Sequence, residues 1–220
     1  MSSIQVILRF LTLTLVIGVL LFGFAGRVDV WAFWAYLLVF AVMGPVMYAA
    51  AGHDLMRERL KPGPGGKDQL TRILAVPILL AHLALAGLDV GRFHWSDTVP
   101  TWLQVVALFG LVGGMAVWAL AMHHNKYFSS VIRIQRDRGH RVVDTGPYRL
   151  VRHPGYAAAL TLYVWSGLAL GSWWSLLPGL LMTLLFIRRI TLEDRTLEEQ
   201  LEGYAEYSRR VRYRVLPGIW

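Results

Sequence analysis

Long apolar runs alternate along the chain with short polar segments, most of them basic. Four runs carry almost no charge and are close to twenty residues long: about 4–24, 30–51, 71–88 and 99–122. At about 1.5 Å of rise per helical residue, roughly 20 apolar residues cover the ~30 Å hydrocarbon core of a bilayer. Each run therefore predicts a membrane-spanning helix. Pro45 and Pro77 fall inside two of them, which helices in lipid tolerate because neighbouring groups satisfy the freed carbonyls. The hinge at 26–29 predicts that the first two helices form a hairpin. The segment 52–70 ends in Pro62 and a Gly-Pro-Gly-Gly run and predicts a surface loop, and 89–98 predicts a short turn with Trp95 at the interface. Gly110, Gly113 and Gly114 predict close approach of a neighbouring helix. Two shorter apolar runs, 155–170 and 173–187, are separated by Gly171-Ser172. Sixteen helical residues span only about 24 Å, so a tight hairpin is expected, crossing with local thinning or buried within the protein. From Arg188 onward an amphipathic helix is expected along the membrane face, ending at Pro217. The pattern predicts an all-α polytopic integral membrane protein with five to six membrane-embedded helices. A four-span region, 1–122, is followed by a more polar region, 123–220.

Composition supports this reading. Hydrophobic residues make up 55% of the chain and the mean hydropathy is +0.46, too apolar for an ordinary soluble domain of this size. The formal net charge is +8, but its distribution is topological. With the N-terminus inside and six crossings, 20 of the 22 Lys and Arg fall on one side, leaving only Arg27 and Arg92 on the other. That is the positive-inside bias expected of cytoplasmic loops. It puts the N-terminus and the two longest polar stretches, 123–153 and 188–219, on the cytoplasmic side. The basic blocks fit contacts with anionic lipid headgroups, and no nucleic-acid partner is expected. The absence of cysteine excludes disulfides, thiolate catalysis and cysteine metal sites. The first run lacks a basic start and a cleavage signal, so it is expected to be retained as a span. Adjacent His123-His124 point about 100° apart on a helix with no carboxylate nearby, so no metal site is expected.

The candidate chemistry lies in the two polar stretches. Gly146-Pro147-Tyr148-Arg149 marks a turn. In Arg152-His153-Pro154-Gly155-Tyr156, Pro154 suits the first turn of a helix. His153 then sits beside unpaired N–H donors at the positive end of the helix dipole, a place that favours an anionic group and a neutral imidazole. The tail supplies Arg188, Arg189, Glu193, Asp194, Tyr204, Tyr207, Arg212 and Arg214. Read locally, these residues also suit a membrane-surface loop and a solvated helix face.

Order and spacing together resemble the isoprenylcysteine carboxyl methyltransferase family and the related phospholipid N-methyltransferases, over roughly 125–219. The resemblance runs from the Gly-Pro-Tyr turn through Arg152-His153-Pro154-Gly155-Tyr156, a hairpin, Arg189, the acidic pair Glu193-Asp194 and Leu197. It continues through Tyr204, Tyr207, Arg212, Arg214 and Pro217. Asp194 stands where the second Glu is usual, its reach shorter by one methylene. The resemblance implies a methyltransferase that uses S-adenosylmethionine on a lipophilic acceptor reaching a cytosolic C-terminal cofactor site sideways from the bilayer. It implies cofactor contacts from Tyr148, Arg152, His153, Pro154, Tyr156, Glu193, Asp194, Tyr204 and Tyr207. Arg189, Arg212 and Glu193 are implied at the reacting centre, with the acceptor expected to be a carboxylate.

Two other readings predict different observations. A membrane reductase would bind NADPH in place of S-adenosylhomocysteine. A non-enzymatic lipid-binding protein would lack a buried polar cleft open to both lipid and cytosol.

Overall fold

A computed structural model describes residues 3–220, with side chains from Leu8 onward; Met1-Ser2, part of the N-terminus that the charge count puts inside, lie outside the described residues. Seven α-helices follow in order: α1 Ser3–Ala25, α2 Trp31–Leu60, α3 Gln69–Leu88, α4 Thr101–His124, α5 Pro154–Ala169, α6 Leu176–Gln200 and α7 Tyr204–Arg210. No strand occurs among the described residues; a single antiparallel bridge joins Lys67 and Ile132. Four segments are long and apolar enough to cross a membrane: Leu8–Ala25, Trp31–Leu60, Gln69–Phe93 and Thr101–His124. Their outer faces carry exposed apolar side chains such as Leu15, Ile73 and Phe109, an arrangement that suits lipid and not water. The chain is an integral membrane protein.

Leu21, Phe33, Leu83, Leu111 and Leu170 are fully buried and bring α1 to α4 and the α5–α6 turn into one core. Small residues set the closest approaches. A Cβ on Gly91 would lie 2.4 Å from Ala25, and one on Gly110 would lie 2.4 Å from the Trp165 ring. Gly114 likewise faces Leu162, whereas Gly113 opens onto empty space. Thus two of the three α4 glycines admit α5.

The α5–α6 hairpin reaches the end of the bundle opposite the basic loops. Ser172 Oγ donates to Asp89 Oδ2 at 2.5 Å, and the Trp173 N–H donates to Ser96 Oγ at 3.0 Å. Its turn therefore lies beside the α3–α4 turn.

Two expected boundaries shift. Helix α2 does not stop near residue 51. Its backbone opens at Gly52 (φ 71°, ψ 169°), then resumes to Leu60. Residues 53–60 are amphipathic, and Leu55 and Glu58 turn inward. Burial of that face outweighs the loop-like composition, so the irregular loop begins only at Lys61.

The tail is also not one surface helix from Arg188. Helix α6 runs unbroken through Arg188 to Gln200, because Arg189, Ile190 and Asp194 all find buried partners on one face. Gly203, at φ 80°, then turns the chain into α7. Beyond α7, the carbonyls of Tyr213 and Arg214 accept hydrogen bonds from the N–H groups of Arg152 and His153, at 2.9 and 2.8 Å.

Candidate active site

The polar segments converge at the basic end of the bundle. The Lys67 N–H donates to the Ile132 carbonyl at 2.9 Å, which joins the α2–α3 loop to the α4–α5 loop. Arg133 donates to both Glu58 oxygens, at 2.9 and 3.0 Å, and so fixes the end of α2. The Tyr207 hydroxyl donates to the Tyr148 carbonyl at 2.7 Å, which closes α7 over the Gly-Pro-Tyr turn. The two stretches singled out by the sequence thus form one assembly.

Asp194 is the hub of that assembly. It is 3% exposed and accepts five hydrogen bonds. Oδ1 accepts from Arg152 Nε at 3.0 Å, from the Tyr204 hydroxyl at 2.7 Å and lies 3.0 Å from His153 Nε2. Oδ2 accepts from Arg152 Nη2 and Arg214 Nε, both at 2.8 Å. Burial alone would raise its pKa, but hydrogen bonds and charge from His153, Arg152 and Arg214 hold it far below the usual carboxylate range. Burial pushes the Tyr204 phenol up, and the Asp194 charge pushes it further. Burial likewise raises Tyr148 and Tyr207. These tyrosines stay neutral and act as hydrogen-bonding surfaces.

Beside the hub lies a cavity of about 460 Å³. One end is polar and aromatic, with His140, His153, Tyr204 and Tyr207 around Val142 and Val143. The other end runs between α3 and α6 past Val76, Met182 and Phe186. Val76 is itself 61% exposed on the apolar surface of the bundle. At the centre, the Tyr156 hydroxyl donates to Glu193 Oε2 at 2.6 Å and accepts from Arg189 Nε at 2.5 Å. Arg189 is held from behind: Nη1 donates to Asp68 at 3.0 Å and Nη2 to the Ser130 carbonyl at 3.1 Å. His140 sits on the Tyr127 ring, 4.3 Å between centroids, and accepts the Gln135 N–H at Nδ1. Burial, then the charges of Arg133 and Arg138, push its pKa down to about 4.

Of the residues that the resemblance assigns to cofactor or reacting centre, Tyr148, Arg152, His153, Tyr156, Arg189, Glu193, Tyr204 and Tyr207 line the cavity. Three do not. Pro154 is buried in the first turn of α5, where its ring starts the helix. The Asp194 oxygens bond Arg152, His153, Tyr204 and Arg214 behind the cavity wall, and Asp194 itself does not line the cavity. Arg212 is exposed, and only its carbonyl joins the assembly, accepting from Arg152 Nη1 at 3.0 Å. The backbone bends on either side of 212–213, so Arg212 and Tyr213 both face solvent and Arg214 turns inward to Asp194.

The wall also contains residues that sequence reasoning passed over, among them Arg59, Trp118, Phe128, His140 and Val142. Phe128 had one available signal. A Cβ on Gly155 would meet its ring at 2.3 Å, so the glycine after His-Pro marks a close aromatic contact.

A family model, isoprenylcysteine carboxyl methyltransferase (ICMT), matches residues 105–199. No curated protein matches the chain. The matched stretch contains the His153 turn, both helices of the hairpin and the acidic pair of α6.

Proposed function

We propose that this chain, a membrane methyltransferase carrying the isoprenylcysteine carboxyl methyltransferase family match in residues 105–199, moves a methyl group from S-adenosylmethionine to a lipophilic carboxylate taken from the bilayer. One observation carries the reading: a single cavity joins a tyrosine-lined polar end to an apolar end at the lipid-facing surface. The twenty basic residues grouped with that end support a cytoplasmic site. The depth of the α5–α6 hairpin supports counting it with the four long spans as membrane-embedded. Residues 123–220 supply most of the cofactor end, in keeping with a catalytic region distinct from the spans.

The residues present fit the cofactor. A volume of about 460 Å³ lies within the roughly 300–1,000 Å³ range of small-molecule pockets. Val142, Val143, Leu197 and Leu201 offer an apolar bed for a base, and Tyr204 and Tyr207 offer ring faces. Glu193 has an oxygen to spare beyond its Tyr156 bond and suits hydroxyl or ammonium groups. When bound, S-adenosylmethionine supplies a methyl group already activated on a sulfonium, so neither a metal nor a covalent nucleophile is required.

The protein's own task is alignment and exclusion of water, which can contribute several kcal/mol to a transfer of this kind. Tyr156 is gripped by Arg189 on one side and Glu193 on the other, so the three act as one rigid unit. Asp194 fixes the His153 ring and the Tyr204 hydroxyl. Phe128, Phe186 and Met182 keep the acceptor side dry.

Calorimetry with S-adenosylhomocysteine tests the reading. Affinity is expected to fall at least tenfold in Glu193→Gln and in His153→Ala. Unchanged affinity in folded variants would overturn it. A methyl-transfer screen with labelled cofactor against lipophilic carboxylic acids, amines and phenols tests the acceptor, with acids expected to be methylated first.

A further inference from the structure

Five arginines line the cavity, and four of them are accounted for. Arg72 and Arg141 are exposed to solvent. Arg152 is bound to Asp194 and to the carbonyls of Ser208, Val211 and Arg212. Arg189 has each of its three nitrogens bonded, to Tyr156, Asp68 and Ser130. The fifth, Arg59, has one hydrogen bond from its side chain, Nη1 to the Phe128 carbonyl at 3.1 Å. Its guanidinium lies 5.0 Å from the Phe128 ring centroid. Among the described residues no carboxylate lies within salt-bridge distance, and the neighbouring Glu58 is committed to Arg133.

A guanidinium carries five N–H donors and stays charged in proteins. Holding one beside aromatic rings with most donors idle is unfavourable unless an anion arrives. The position is nonetheless fixed with care. Glu58 and Arg133 lock the end of α2, and Ser130 Oγ donates to the Arg59 carbonyl at 2.8 Å. Arg59 lines the cavity over the Phe128 ring, which packs on Trp118, within electrostatic reach of Tyr156 and Arg189. It also lies outside the residues matched to the family.

We propose that Arg59 is the anchor for the carboxylate of the lipophilic acceptor, contributed by the end of α2. This rests on the methyl-transfer reading above and deepens it. The planar fork of arginine binds a carboxylate through two parallel hydrogen bonds. In that pose the anion is held at its oxygens while the acyl chain extends past Met182 and Phe186 toward lipid. A carboxylate also occurs on the methionine part of the cofactor, so the test separates the two sources.

The experiment uses the full chain in lipid nanodiscs, with palmitate and palmitamide as probes and S-adenosylhomocysteine as the cofactor probe. Wild type is expected to bind palmitate at least tenfold more tightly than palmitamide. Arg59→Met is expected to erase that preference, and Arg59→Lys to keep about a third or less of it, because charge survives and the fork does not. Both variants are expected to bind S-adenosylhomocysteine within twofold of wild type, which also shows that they fold. If Arg59→Met does not fold, Arg59→Lys decides. A wild type that does not prefer the acid, or a preference that survives in Arg59→Lys, overturns the proposal. So does a tenfold loss of S-adenosylhomocysteine binding with the palmitate preference intact, which would assign Arg59 to the cofactor. Failure of wild type to bind S-adenosylhomocysteine would instead overturn the methyl-transfer reading.

Discussion

Replacing Asp194 by asparagine removes one charge from the most heavily bonded carboxylate of the protein and changes little else in shape. The carboxylate receives Arg152 twice, and His153, Tyr204 and Arg214 once each. An asparagine amide turned either way sets an NH₂ donor against at least two of these donors. Arg152, 9% exposed, then keeps one bond to the amide oxygen and its backbone carbonyl partners, but no anion. Breaking a buried pair in this manner costs about 3–5 kcal/mol. At about 2–4 °C per kcal/mol for a chain of this size, the unfolding midpoint is expected to fall by roughly 6–20 °C. Tryptophan fluorescence on the detergent-solubilised protein measures this. Affinity for S-adenosylhomocysteine is expected to fall with it, because His153 and Tyr204 lose their support. Asp194→Glu keeps the charge and is expected to lose about 1–3 kcal/mol through crowding. The sign with pH follows from a depressed carboxylate. Its contribution is complete above the unfolded value of about 3.9 and is lost only as pH falls below it toward the folded value. The gap between wild type and Asp194→Asn is therefore expected to be constant from pH 5 to 8. A folded Asp194→Asn with an unchanged midpoint would refute the hub.

His140 gives the same sign in a higher pH window, since its folded pKa is lowered to about 4 while an unfolded histidine titrates near 6.5. The unfolded chain binds the extra proton, so stability is expected to fall as pH drops from about 6.5 toward 4. Urea titrations of wild type and His140→Gln across that window check this, and equal slopes would rule it out. On α4, Gly110→Ala drives a methyl into the Trp165 ring, and overpacking of about 1–3 kcal/mol is expected. Gly113→Ala meets nothing within 4 Å and is expected to leave the melting temperature unchanged or higher. Equal melting temperatures for the two variants would mean that α5 does not pack where it is described.

The spans and the two polar stretches were legible because each depends on a local rule. Twenty uncharged residues define a span, and a charge count orients it. The Gly-Pro-Tyr turn and His153-Pro154 announce a stop and a start. Eight singled-out residues therefore line one cavity. Arg212 and Asp194 do not line the cavity, because where their side chains face depends on the final packing of α6 and the tail. Arg214 is two positions from Arg212, and the bends between Val211 and Val215 that turn one in and the other out carry no sequence signal. The unbroken α6 was hidden by a change of solvent within one helix: the residues before Arg188 meet lipid, and those after it meet the folded tail.

The end of α2 shows the same limit with a larger consequence. Residues 52–61 contain a glycine and several charges and precede Pro62, so local rules favour a loop. What makes 53–60 helical is Glu58, whose partner Arg133 lies 75 residues away. Two buried charges that need each other fix the segment, and the pairing is invisible to any periodicity. The same pairing explains why Arg59 stays idle: the one acid beside it is already taken. That the Arg59 guanidinium stands in the cavity wall without a carboxylate partner thus follows from a distant ion pair. The four-span region, 1–122, then supplies Arg59, Val76 and Trp118 to a cavity whose other wall comes from 123–220. Changes confined to the end of α2 are accordingly expected to alter which acceptors bind while sparing cofactor affinity.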